Sequence, residues 1–522
     1  MTIIWVIRCT YKPLKIYSFR DIIDFSLYQN FKMTKFFILL TAFGASVLLW
    51  SEKLEAASVD KSVIRVNTTM QSYNLIQPWE KGASSTRIGL GAVLPQGKVL
   101  VTAQMVTDAT YIELEKPDTA AKTTAKVITV DYEANLAILR PINDDDFLSD
   151  RLPFELDTNL SPKDKVEAWQ FEANGTPVTT QITVSKAEVR QSFIDTARFL
   201  QIQANGPVQY RSGSFTLPLA KNNKLAGLLI SYSSKDQISN ILPASIIEHF
   251  LKDAEDGAYT GFPNLGIMYS QTLDEQFRNY LKLDQKDGGV FVSKVVEGAS
   301  AAAANIKSGD VILSINGKEI DSRGNYNDPV WGKLSFSHLV RGQAFTGESM
   351  RIKILREGQK KDIDLKLIRR PVENYLIDPY MFDRGPKFSI IGGLVFQELS
   401  VPFLKLFGND WKSRAPIKML MAHANPEMYE KKGRRKLVIL TRTIPTPATL
   451  GYERLSTLIV TKINGVPIND IQDVDKATDK STNGQHRIEF DSYPKLIFLD
   501  AVLTERVNAA LEKRIGITKR LN

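Results

Sequence analysis

Leu313-Ser-Ile-Asn-Gly-Lys-Glu-Ile320 reads as an apolar strand, an Asn-Gly turn and a second strand. Asn-Gly between strands is the strongest short-range hairpin signal, because both central residues of a type I′ turn need positive φ. The pattern returns as Val460-Thr-Lys-Ile-Asn-Gly-Val-Pro-Ile468. Two copies are too few for a solenoid, which needs at least three stacked repeats. They predict two related modules in tandem, with a boundary near Arg370-Pro371.

Upstream the pattern changes. Short apolar runs at 63–66, 98–102, 125–130 and 136–139 are separated by Gly, Pro, Asn and Asp. That spacing predicts a barrel or sandwich. Residues 243–251 begin with Pro243 and carry apolar residues at helical spacing, which predicts a closing helix. Residues 253–263, DAEDGAYTGFP, read as a polar linker. The basic run 431–436, KKGRRK, reads as a solvated loop before the strand at 437–440; the other reading is a patch for an anionic partner.

Length and composition set bounds on this plan. At about 100–200 residues per domain, 522 residues make three or four domains. Apolar residues are 43% of the chain and charged residues 24%, which suits globular cores. A net charge of +9 is mild for this length and gives no argument for nucleic acid. The single cysteine, Cys9, excludes a disulfide scaffold and a Cys-rich zinc site. With four histidines and one cysteine, neither a metal nor a cofactor is expected.

Residues 36–50, FFILLTAFGASVLLW, are the most apolar stretch. Fifteen residues fall short of the roughly 20 that a membrane-spanning helix needs. Lys35 precedes the run, and Ala56-Ala57 follow it. A short positive start, an apolar core and small residues at the exit describe a secretory signal peptide. The expectation is that 33–57 is this signal, starting at Met33, and that 1–32 is a mis-annotated upstream extension. The other reading is an uncleaved anchor. Cleavage would leave an exported chain, periplasmic or secreted, with no stable membrane span and no thiol. That suits an oxidising compartment.

Several blocks together carry a family resemblance. Gly89-Leu-Gly-Ala-Val-Leu94 follows Trp79 and Gly82. Val99-Leu-Val-Thr-Ala-Gln-Met-Val106, Asp131-Tyr-Glu-Ala-Asn-Leu-Ala-Ile-Leu-Arg140, a serine-bearing stretch at 206–218 and Leu225-Ala-Gly-Leu-Leu-Ile230 come next, in that order. This part resembles the trypsin-like domain of the Deg/HtrA (Do-like) serine proteases. Gly261-Phe-Pro-Asn-Leu-Gly-Ile267, Gly288-Gly-Val-Phe-Val292, Gly393-Leu-Val-Phe396 and Gly451-Tyr-Glu-Arg-Leu455 resemble the tandem PDZ modules of the plant-type members. The resemblance implies a mainly β chain. A trypsin-like double β-barrel over 60–252 would be followed by two PDZ (α+β) domains, over 260–370 and 385–520. It also implies a homo-oligomer.

The chemistry of that family needs a hydroxyl nucleophile, an imidazole base and a carboxylate that orients it. By resemblance, Gln104 stands at the histidine position and Asn135 at the aspartate position. An amide has no useful basicity near neutral pH. Asn135 carries no charge to stabilise an imidazolium. Ser214 matches the nucleophile, with Ser212 as the alternative. Phe215-Thr216 stands where the family has Gly-Gly, which puts the oxyanion hole in doubt. The histidines are His249, His338, His423 and His486, so none precedes the closing helix of the barrel. A Ser–Lys dyad would have to use Lys221 or Lys224, both in a polar turn.

The expectation is a catalytically degenerate member that binds peptides or unfolded proteins. The alternatives are an active serine endopeptidase with unusual residues and an assembly factor. A PDZ module adds an extended peptide to a sheet edge and holds its terminal carboxylate with backbone N–H groups. By resemblance, Leu265, Gly266, Ile267 and Met268 form that loop and edge in the first module, and the partners are peptides or C-termini of exported or unfolded proteins. Gly393–Phe396 is the corresponding segment of the second module, where a packing or assembly role is the stronger reading.

Overall fold

The computed structural model describes residues 59–209, 216–516 and 518–521. The extension 1–32, the signal 33–57, Cys9, Ser212, Ser214 and Phe215 lie outside the described residues.

Runs rich in Val, Ile and Leu close a first barrel. Its strands are β1 (Val63–Met70), β2 (Ser85–Leu94), β3 (Lys98–Val101), β4 (Ala109–Glu115), β5 (Lys122–Asp131) and β6 (Leu136–Pro141), in the order β1-β2-β3-β6-β5-β4. Ile64, Val66, Val99, Val101, Leu114 and Leu139 fill it. A second barrel follows, with β7 (Lys165–Phe171), β8 (Pro177–Gln191), β9 (Arg198–Asn205), β10 (Leu217–Lys221), β11 (Lys224–Ser233) and β12 (Ile238–Pro243). Closure leaves neither barrel with an edge strand. The two barrels meet where the Leu90 N–H donates to Thr216 O at 3.2 Å. The helix Ala244–Asp253 then buries Ile246, Ile247 and Phe250. This is the trypsin-like half of the chain.

Two open sheets follow. The first holds β13 (Ile267–Gln271), β14 (Val290–Val295), β15 (Val311–Ile315), β16 (Lys318–Glu319), β19 (Ser349–Arg356) and β20 (Gln359–Lys366), with a separate hairpin of β17 (Asn325–Asp328) and β18 (Gly332–Ser335). The second holds β21 (Phe388–Ile391), β22 (Leu394–Glu398), β23 (Val438–Thr443), β24 (Leu458–Ile463), β25 (Val466–Pro467), β26 (Gln485–Phe490), β27 (Leu496–Asp500) and β28 (Lys519–Arg520). Both Asn-Gly segments turn hairpins, β15–β16 and β24–β25. Asn316 and Asn464 have φ of 46° and 49°, and Gly317 and Gly465 follow at 76° and 82°. The two asparagines also share a second task. The Asn316 N–H donates to Arg351 O, and Asn316 Oδ1 accepts from the Arg351 N–H, each at 2.8 Å. Asn464 does the same with Arg487, again at 2.8 Å. The internal echo is therefore one supersecondary unit used twice.

Two sequence expectations are corrected here. The polar linker at 253–263 is exposed at 255–258 and at 260, but it is pinned at its ends. The Asp253 carboxylate accepts from the Thr260 and Gly261 N–H groups, and Phe262 is buried against Phe199 and His249. The basic run is not simply solvated either. Arg434 donates to Val460 O, Arg435 pairs with Asp470 and Lys436 pairs with Asp378. Three of its charges, Arg434, Arg435 and Lys436, thus have partners, while Lys431 and Lys432 are exposed.

The modules are also tied to the barrels. Residues between β1 and β2 reach the second sheet. Trp79 lies 6.2 Å from Phe388, Leu75 O accepts from Gln397 Nε2 at 3.1 Å, and Pro78 O accepts from Arg520 Nη1 at 3.0 Å. Among the described residues no helix is long and apolar enough to cross a membrane.

Candidate functional site

β3 delivers Gln104 to the barrel mouth on a short helix, Ala103–Val106. Asn135 sits in the tight turn between β5 and β6, with φ at 59°. Asparagine tolerates that left-handed conformation better than most side chains. Asn135 is buried, and its Oδ1 accepts from the Gln104 N–H at 2.9 Å. Gln104 O in turn accepts from the Arg87 guanidinium. The structure thus brings Gln104 and Asn135 together through a neutral hydrogen bond, with Arg87 bound to Gln104 O. Neither group can take a proton from a hydroxyl near neutral pH. Ser214 and Ser212 cannot be added to this geometry, because they lie outside the described residues. Thr216, next in sequence, is buried beside Gly89.

The histidines are engaged elsewhere. His249 lies flat between Phe262 and Phe345, with ring centroids 4.4 and 3.9 Å away. Its Nε2–H donates to Ala344 O at 2.9 Å, and burial lowers its pKa. Burial pushes His338 down to about 4. His423 packs edge-on to Trp411, and the His486 ring meets Asn464 Nδ2 at 3.1 Å. Lys221 is bound to Asp164 at 2.7 Å and Lys224 to Glu155 at 2.8 Å. The hydrogen bond to Glu155 raises the Lys224 pKa, which favours the charged form, the wrong state for a base.

The loop that carries Asn135 is anchored to the first PDZ module and to the segment between the modules. Asp131 accepts from the Ala134 N–H at 2.7 Å and from the Tyr259 hydroxyl at 2.6 Å. Burial, then Asp131, raises the Tyr259 pKa far above its usual value. Glu133 is buried 3.4 Å from Arg341, and burial raises its pKa. Tyr132 packs 4.8 Å from Phe382, which stacks on Phe193 at 5.3 Å. The Tyr132 hydroxyl donates to Asp383. Asp383 and Asp108 exchange backbone-to-carboxylate hydrogen bonds at 2.7 and 2.9 Å. Sequence reasoning did not single out these residues. The aromatic run Tyr380-Met-Phe382 between two modules was the available signal.

The two PDZ edges differ sharply. β13 pairs only with β14 among the described residues, so its other edge is open. Leu265 leads into it, and Gly266 turns the chain at φ 68°. A Cβ at Gly266 would collide with the Cβ of Ala299. Gly266 O accepts from the Val296 N–H at 2.8 Å, while the Leu265 and Gly266 N–H groups meet no acceptor among the described residues. Ile267 is half-buried and Met268 exposed. In the second module Gly393 matches Gly266, since its O accepts from the Ile444 N–H at 2.7 Å. There the edge of β22 is already taken by β21, joined to it through Gly392-Gly393. β21 runs as a bound peptide would, with its C-terminal end at the glycine turn. Its Ser389 donates to Asp475 at 2.7 Å, and the Gly392 N–H is capped by Asn508 Oδ1 at 2.7 Å. The segment Gly393–Phe396 is therefore filled by its own chain.

Two closed barrels followed by two PDZ sheets define a trypsin-like protein with tandem PDZ domains. Matches to the PDZ domain family cover residues 265–325 and 377–521. The chain is 25% identical over 468 residues to "Protease Do-like 4, mitochondrial" of Arabidopsis thaliana, covering 88% of this chain and 86% of that one. It is 25% identical over 274 residues to "Periplasmic serine endoprotease DegP" of Salmonella typhimurium, covering 50% and 55%. Among solved structures, "HtrA-type protease AlgW with decapeptide" matches with a TM-score of 0.45 and 17% identity, over 60% of this chain and 97% of that one. The Do-like and DegP relatives, with the two PDZ matches, support a Deg/HtrA family member with tandem PDZ domains.

The Glu133–Arg341 pair gives a direct check on the anchoring. Arg341→Ala leaves a buried carboxylate unpaired, at an expected cost of about 3–5 kcal/mol. With Glu133's folded pKa above its unfolded value, the folded state binds the proton more tightly. Stability is then lost as pH rises through the folded pKa. Denaturant melts of Arg341→Ala should show a larger deficit at pH 8 than at pH 5. An equal deficit at both would mean that only packing was lost.

Proposed function

We propose that this protein is a non-catalytic Deg/HtrA family member that captures chain termini of exported or unfolded proteins on its first PDZ edge. The observation that carries the reading is the contrast between the two modules. β13 starts from a glycine turn whose Leu265 and Gly266 N–H groups meet no acceptor among the described residues, while the matching edge of β22 is occupied by β21. A terminal carboxylate supplies the acceptors that Leu265 and Gly266 lack, and an extended peptide completes the sheet. The barrels then serve as a scaffold. Their Gln104–Asn135 pair supports this, because it offers hydrogen bonds but no base. By the same reading 33–57 is a cleaved signal, the mature chain acts outside the cytoplasm in protein quality control, and it assembles as a homo-oligomer. The related proteins carry mitochondrial and periplasmic names.

Two experiments test this proposal. Peptides ending in an apolar residue with a free carboxylate should bind more tightly than their amides. Lost charge-assisted hydrogen bonds worth about 1.5–3 kcal/mol correspond to roughly 10–150-fold in affinity. Gly266→Val should weaken binding to a similar degree and leave the barrels folded. Equal affinity for acid and amide would end the carboxylate assignment.

The second experiment concerns catalysis. A fluorophosphonate probe should leave the protein unlabelled, and Gln104→His alone should not restore labelling, because Asn135 leaves an imidazolium without a countercharge. Labelling abolished by Ser214→Ala would establish an active endopeptidase instead.

A further inference from the structure

The outer face of the first PDZ edge borders the second module. Met268 and Lys294 stand opposite each other across β13 and β14, so their side chains share a face. Lys294 reaches the second module there. Its Nζ donates to Ala424 O at 3.1 Å and pairs with Glu427 at 2.8 Å. Met428 follows Glu427. Met421 is one helical turn before that junction, its O accepting from the Asn425 N–H at 2.9 Å. Met268, Met421 and Met428 are 52%, 48% and 52% exposed. Every other described methionine is buried or partly buried. The exposed methionines are thus Met268, opposite Lys294, and Met421 and Met428, on either side of the second-module residues that Lys294 binds.

We infer that Met268, Met421 and Met428 form a second wall of the peptide groove, and that this wall receives the penultimate side chain of a bound C-terminus, which must be apolar. The inference rests on the reading of β13 as the ligand edge. Successive side chains of an added strand point to opposite faces of the sheet. Ile267 and Tyr269 lie on the opposite face, where Tyr269, itself exposed on one side, packs on Phe336 at 5.0 Å. A terminal side chain lodged beside Ile267 leaves the penultimate one pointing outward, onto Met268. Lys294 and Glu427 pair with each other there, and Lys431 also acts on Glu427. The wall offers polarizable thioether surface beside this cluster. Methionine suits such a role because its flexible side chain adapts to varied apolar partners. Specificity at the terminal residue then belongs to the first module, and specificity at the penultimate residue to both modules together.

The test uses the mature full-length chain and free-acid peptides that differ only at the penultimate residue. Leu there should bind about five- to tenfold more tightly than Asp, the return expected for burying part of one apolar side chain. Met421→Asp with Met428→Asp should reduce that preference to within about twofold and leave the acid-over-amide ratio unchanged. Met421→Leu with Met428→Leu should preserve it. If the aspartate pair unfolds, Met421→Gln with Met428→Gln serves in its place. A penultimate preference that survives these substitutions, beside an intact acid-over-amide ratio, overturns the shared wall and spares the carboxylate assignment. Loss of acid-over-amide discrimination in the unaltered chain overturns both.

Discussion

A strand edge presents unpaired N–H and C=O groups, and every part of this protein is organised around where they go. The barrels remove the problem by closing. The second PDZ sheet removes it by laying β21 against β22 and then adding β28 outside β21. β13 is not treated in this way. Its open edge runs into Gly266, with nothing among the described residues pairing it. An edge left bare beside two that are covered is what directs the functional reading to the first module.

The glycine turn matters in both modules, with opposite results. Gly266 and Gly393 each accept one hydrogen bond from the same relative position, so the loops share a geometry. In the second module the preceding N–H, that of Gly392, is capped by Asn508, and Ser389 of β21 lies on the β22 edge, donating to Asp475. Both ligand functions, carboxylate capture and strand addition, are thus supplied from within the chain. The proposed division follows from this: the second module is structural, and the first recruits. Asp383, Phe382, Tyr259 and Arg341 bind the barrel loop of Asn135 into the same assembly. That loop is held by contacts with the first module and with the segment between the modules.

Much of the fold was legible because local signals and tertiary structure agree. The Asn-Gly pairs turned both hairpins, since little else accepts two positive φ values in a row. The closing helix, announced by Pro243, runs Ala244–Asp253. Of the candidate site residues, Gln104 and Asn135 are adjacent, and Leu265 through Met268 lie along an open edge. The segment 253–263 misled because its composition is polar, although Tyr259 and Phe262 do the packing. The run 431–436 misled because a charge run looks the same in sequence whether its partners are solvent or Asp378 and Asp470. The filling of β22 by β21 had a local signature that the sequence reading passed over: Gly392-Gly393 between the apolar runs 388–391 and 394–396 is a two-residue hairpin signal.

The account turns on one open edge and one filled edge, and hydrogen exchange reads both at once. Exchange should be followed by mass spectrometry on the mature chain, with and without a saturating free-acid peptide that ends in two apolar residues. Added protection is expected across 265–271, with 394–398 unchanged because β21 already protects it, and with 104–107 unchanged. Protection that appears at 394–398 or at the barrel mouth, and not at 265–271, would contradict the account.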